Sequence, residues 1–219
     1  MTRILIWSLG IAGTILGSTP TIAAVESIEV TISTEIAPVF QNGELTGCAL
    51  NFQAGKNDYT YFEGELALIT GSLNLYSREG KPPFYGLKLG VLRNGEKDYV
   101  APSSAVIVSD KTSNKVDFLT SVDSETPGFR LFTFSAGDAT LKIMGDTTSK
   151  DRTIRIGYTM NGGSMSSIIP ITLSMKKLNF ENPKDSVLDD RAAAEWWGCN
   201  LNVIEAALKR AEAVQSKGK

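Results

Sequence analysis

Hydrophobic positions through the middle of the chain recur at every second residue. From Ser27 to Ser33, Ile28, Val30 and Ile32 alternate with Glu29, Thr31 and Ser33, which predicts a strand with its apolar side buried. Cys48, Leu50 and Phe52 make a second such row and aim Cys48 at a core. More β-type runs follow at 59–62, 65–70, 72–76, 85–92, 105–109 and 116–122, then at 129–134, 139–144, 153–159 and 168–175. Turn residues separate them, at Asn94-Gly95, Ala136-Gly137-Asp138 and Asn161-Gly162-Gly163. Short connections of this kind join antiparallel neighbours. The pattern therefore predicts a mainly β fold, an antiparallel β-sandwich of about 10 strands over residues 25–180. Pro82 and Pro83 belong in a loop, and Pro170 restricts its strand to an edge or a bulge. Several runs are shorter than the ~9–11 residues that a membrane-crossing strand requires.

After Asn182-Pro183 the period changes. Val187, Ala194, Trp197, Leu201, Ile204, Leu208 and Ala211 fall on a three-four repeat with Asp190 as the misfit, and predict a helix over about 187–215. Ser186 and Asp189 have the spacing of a capping box, and Glu205 with Lys209 forms an i,i+4 pair on the outside. Residues 181–219 thus read as a C-terminal helical segment packed on or beside the sandwich. Cys199 conflicts with this stripe, because at ~100° per residue it lies about 200° from Trp197. A straight helix cannot bury the stripe and also bring Cys199 to a core strand. A break near Gly198, with Asn200 capping a second helix, resolves the conflict; a helix sandwiched between two surfaces is the other solution. The stripe also suits self-association of the chain through this helix.

The N-terminus adds a location. Arg3 precedes a predominantly apolar run of 13 residues, Ile4 to Leu16, followed by Pro20 and the small residues Ala23 and Ala24. This is the layout of a signal peptide spanning 1–24 and cleaved after Ala24, since the run is short for a bilayer span. No later apolar run has spanning length, so no transmembrane segment is expected after cleavage. No Asn lies in a glycosylation sequon, which fits a bacterial periplasmic or secreted protein. Two cysteines in an oxidising compartment predict a disulfide, Cys48 to Cys199, tying the sheet to the helical segment.

Composition then removes chemistries. The 219 residues contain no histidine, so Ser-His-Asp and Cys-His catalysis and His-based zinc sites are unavailable. A net charge of -2 with scattered basic residues gives no nucleic-acid surface. No calcium-loop spacing or phosphate-binding turn appears, and no cofactor is expected. A carboxylate hydrolase or sugar-binding domain remains as the enzymatic alternative, resting on Asp189, Asp190 and Glu195 beside Trp196 and Trp197. On the helical wheel Trp197 joins the apolar stripe and Trp196 is the exposed aromatic.

These exclusions favour a non-enzymatic, exported binding protein of the cell envelope that recognises a protein partner. Its candidate binding loop holds Tyr158, Met160, Asn161 and Met165 beside flexible glycines. A structural subunit of a surface assembly is the alternative. Fimbrial subunits are similar in being exported, β-rich and disulfide-stapled, but this chain departs from them in its late second cysteine and helical C-terminus.

Overall fold

The computed structural model describes residues 28–77, 81–108, 118–150, 152–161 and 163–217, with backbone alone for 146–150 and 213–217. The proposed signal peptide at 1–24 lies outside the described residues. Six strands form the larger sheet: β1 (Glu29–Gln41), β2 (Glu44–Asn57), β3 (Leu66–Tyr76), β4 (Phe84–Arg93), β6 (Phe118–Asp123) and β7 (Arg130–Ser135). Their order is β1-β2-β3-β4-β7-β6, and every pairing is antiparallel. A second antiparallel sheet contains β5 (Ser104–Val108), β8 (Thr153–Thr159) and β9 (Ser167–Thr172) in the order β5-β8-β9. Pro170 lies on β9, an edge strand, where its missing N–H costs no ladder bond on the open side. A two-stranded ribbon, β10 (Met175–Lys177) with β11 (Val187–Leu188), leads into the terminal helix α2 (Ala192–Lys217).

One core joins these layers. Leu73, Leu87 and Phe132 from the larger sheet meet Ile154, Ile156 and Ile169 from the smaller one, with Trp196 and Val203 of α2 closing the side. The Cys48, Leu50 and Phe52 row is buried as its alternation predicts. β1 behaves differently: Ile28 is exposed, and the buried residues are Thr31 and Thr34. The reason is the neighbouring sheet. Thr31 Oγ1 donates to Pro170 O (3.3 Å) and accepts from Thr172 N (2.8 Å). Thr34 Oγ1 lies 2.8 and 2.9 Å from the carbonyls of Leu173 and Met175 and shares its proton between them. With their hydroxyls satisfied, threonines bridge the two sheets where isoleucines could not.

Two predicted strands are not strands. Residues 139–144 belong to a helix, α1 (Asp138–Lys150), with Thr140, Ile143 and Met144 buried at i, i+3, i+4 spacing and Asp138 in the first turn. Residues 59–62 form a turn around Asp58, whose carboxylate accepts from Thr60 N (2.8 Å) and Tyr61 N (3.0 Å).

The C-terminal segment begins as sheet. Val187 and Leu188 pair with β10, so the helix starts at Ala192 and not near 187. Ser186 does not cap it; its hydroxyl accepts from Asn179 N (3.1 Å). Asp189 shapes the turn that leads into α2, its carboxylate accepting from Arg191 N (3.0 Å) ahead of the first helical residue. The helix is also unbroken at Gly198, against the expected interruption there.

Candidate functional site

The rotation of α2 decides which side chains face outward. Cys199 is bonded to Cys48 of β2, with the two Cα atoms 6.0 Å apart. That bond turns the 196–199–203 side inward. Trp196, Asn200 and Val203 are completely buried, and Asn200 Nδ2 donates to Trp196 O (2.7 Å) within the helix. Asn200 is therefore an interior residue and caps nothing. Two turns further on, Arg210 reaches back to the sheet, donating to Ser77 Oγ (2.7 Å) and pairing with Glu44 (3.6 Å). Burial, a covalent bond and an ion pair hold the same face down.

The apolar stripe consequently stands on the other side. Leu201 is 43% exposed and Leu208 59%, and Ala194 and Ala211 are exposed beside them. Trp197 and Ile204 are half-buried at the rim of the core. Trp197 sits close to α1, its Cη2 being 3.9 Å from where a Cβ on Gly145 would stand. Trp196, expected as the exposed aromatic, is instead a core residue, because it shares the face of Cys199, and Trp197 packs against that core from its rim. Positions 194, 201, 208 and 197, 204, 211 have the a and d spacing of a heptad repeat; the a residues and Ala211 face outward, while Trp197 and Ile204 at d lean on the core. Glu205 and Glu212 border it and are both exposed.

The loop between β8 and β9 is only partly a surface. Tyr158 is fully buried and donates to the Asp58 carboxylate (2.5 Å); burial first, and that hydrogen bond second, push its phenol pKa far above the ordinary value. Met160 is buried as well, so neither residue can meet a partner. Asn161 and Met165 are exposed. The glycine at 163 is a packing site: Tyr61 lies against it, and the Tyr61 hydroxyl donates to Met165 O. A second tyrosine, Tyr85, is buried in the core, which raises its pKa strongly.

A cleft of about 750 Å³ opens where the start of α2 and β10 meet β1 and β2, lined by Thr34, Glu35, Phe52, Lys176, Asp189 and Glu195. It gathers two of the acidic residues singled out in the sequence. Arg191 lies 3.6 Å from Asp189 and 3.9 Å from Glu195. Asp190 points elsewhere, to Arg152 (3.1 Å). Glu35, absent from the sequence reading, joins the cleft because β1 runs beside α2. Among the described residues no cluster of three or more acidic or cysteine side chains has the arrangement of a metal site, and no helix is long and apolar enough to cross a membrane.

No protein-family model, curated protein or solved structure matches this chain.

Proposed function

We propose that the protein is a non-enzymatic binding module of the cell envelope that recognises a protein partner through the outward stripe of α2. The observation that carries this reading is the exposure of Leu201 and Leu208 on a helix whose opposite face is anchored to the sheet. Two exposed leucines one heptad apart are the anchors that a partner helix would engage. The apolar N-terminal run and the disulfide support an oxidising compartment outside the cytoplasm. The test compares wild type with the double variant Leu201→Gln, Leu208→Gln as baits in native envelope extract. Both side chains are exposed, so the variant keeps the fold and its melting temperature. The wild type should retain a protein that the variant loses. Identical capture by both refutes the stripe as the recognition surface.

One observation favours a second reading. The cleft at the start of α2 holds Glu35, Asp189 and Glu195, the residue types that sugar-binding and carboxylate-dependent hydrolytic sites employ. A glycan array and a glycosidase screen, each repeated with Glu195→Gln, test it. No binding and no turnover in either removes it.

A further inference from the structure

The charges beside the stripe narrow the class of partner. With Ala194, Leu201 and Leu208 at a positions and Trp197, Ile204 and Ala211 at d, the e positions are Gly198, Glu205 and Glu212. The g positions are Ala193 and Asn200, which are buried, and Ala207, which is half-buried. The seam therefore has one charged border, and that border is acidic. Lys209 lies a turn from both glutamates, at a b position farther from the seam, and leaves their seam-facing side negative.

A second copy of the chain fits this border poorly. In a parallel pair each e position faces a g position of the other helix, so Glu205 and Glu212 would meet Asn200 and Ala207 and gain no ion pair. In an antiparallel pair e faces e, and glutamate would meet glutamate, which is unfavourable. A helix from another protein, with lysine or arginine beside its apolar residues, pairs with both. The net charge of -2 on the whole chain acts in the same direction at longer range. The exposed large residues of the stripe are Leu201 and Leu208, both at a, while Trp197 and Ile204 at d are half-buried against the core. The contact thus rests on two aliphatic anchors one heptad apart, with the rims of Trp197 and Ile204 beside them.

Resting on the reading of α2 as a recognition surface, we propose that its occupant is a basic amphipathic helix supplied by a different protein. The probe is a fluorescent peptide of about 21 residues, three heptads with Leu at a and d and Lys at e and g, set against the same peptide with Glu at e and g. Anisotropy is read on the full oxidised protein at ~50 mM and ~500 mM salt, which shortens the screening length severalfold. The Lys peptide should bind at least about fivefold more tightly at low salt, a preference that high salt erodes and that Glu205→Lys, Glu212→Lys reverses. The Leu201→Gln, Leu208→Gln variant should bind neither peptide. Equal binding of both peptides, lost in the leucine variant, overturns the basic partner and leaves the stripe as a recognition surface. Lys-peptide binding that survives in the leucine variant is charge attraction alone and overturns the inference, as does binding of neither peptide. Light scattering that shows a dimer in the wild type and a monomer in the leucine variant assigns the stripe to a second copy and overturns it too.

Discussion

Replacing both cysteines with alanine should remove about 5 kcal/mol of stability at 25 °C. The figure comes from chain length: Cys48 and Cys199 are 151 residues apart, and in the loop-entropy model a closed loop of that size restricts the unfolded chain by about that amount. Strain in the native bond and residual structure in the unfolded chain both reduce it, so about 3–5 kcal/mol is the expected range. A domain of this kind has about 5–15 kcal/mol in total, so the variant should sit near the edge of folding. Urea titration followed by tryptophan fluorescence measures the change, because Trp196 moves from full burial to water. The urea slope should steepen as well, since an unlinked unfolded chain exposes more surface. A loss below about 1 kcal/mol with an unchanged slope would refute the argument, by showing that the unfolded chain is not restricted by the bond.

Four further outcomes follow from buried groups and backbone geometry. Tyr158→Phe deprives the buried Asp58 carboxylate of its phenol donor and should cost about 1.5–3 kcal/mol in urea unfolding at neutral pH; no loss would mean that Thr60 and Tyr61 N–H groups suffice. Tyr85 and Tyr158 both have raised phenol pKa values, so the folded state holds protons that the unfolded chain releases above about pH 10. Their contribution is complete below that value and is lost as pH climbs through and beyond it; Tm measured from pH 8 to pH 11 should fall more steeply in wild type than in Tyr158→Phe, and parallel curves would contradict this. Trp196→Ala should cost about 3–5 kcal/mol, whereas Trp196→Phe should cost far less, because the buried Trp196 Nε1 has no hydrogen-bond partner among the described residues to lose. Gly128→Ala should destabilise well beyond Gly95→Ala: both glycines have positive φ, +76° and +85°, but only at Gly128 would the new methyl collide with the Tyr99 carbonyl. Equal losses in the two variants would show that backbone strain alone matters.

Much of the sheet was legible because its inner strands each cover one core. Cys48, Leu50 and Phe52 alternate cleanly and are buried cleanly, with β1 and β3 on either side to fix the register. The edges were less legible. β1 turns its threonines inward because β9 and the segment after it supply carbonyls and an N–H to meet them, and those partners are some 140 residues away in sequence. α1 left a helical signature in Thr140, Ile143 and Met144, but a short apolar run reads equally well at either period. α2 shows the sharpest limit. Its strongest apolar stripe reads as the buried face, and the position of Cys199 conflicts with that. The contradiction was visible on the wheel; its resolution was not a break at Gly198 but a rotation that leaves the stripe outside and puts Trp196 and Asn200 inside. The surface assigned to recognition was thus spelled out as hydrophobic spacing, while its direction depended on a bond between distant residues.

The Cys48–Cys199 bond also bears on how the molecule is assembled. The chain holds only these two thiols, so no mispaired bridge can form within one molecule and no reshuffling step is called for. What the arrangement leaves open is a waiting period. As the chain is made from its N-terminus, Cys48 is complete while its partner is still 151 residues away, and every strand from β3 onward must be produced before Cys199 exists. During that interval an oxidant can link Cys48 only to a small thiol or to another molecule. The hazard for this protein is therefore premature oxidation between chains, and its yield should depend on when the oxidant meets the chain more than on how strong the oxidant is.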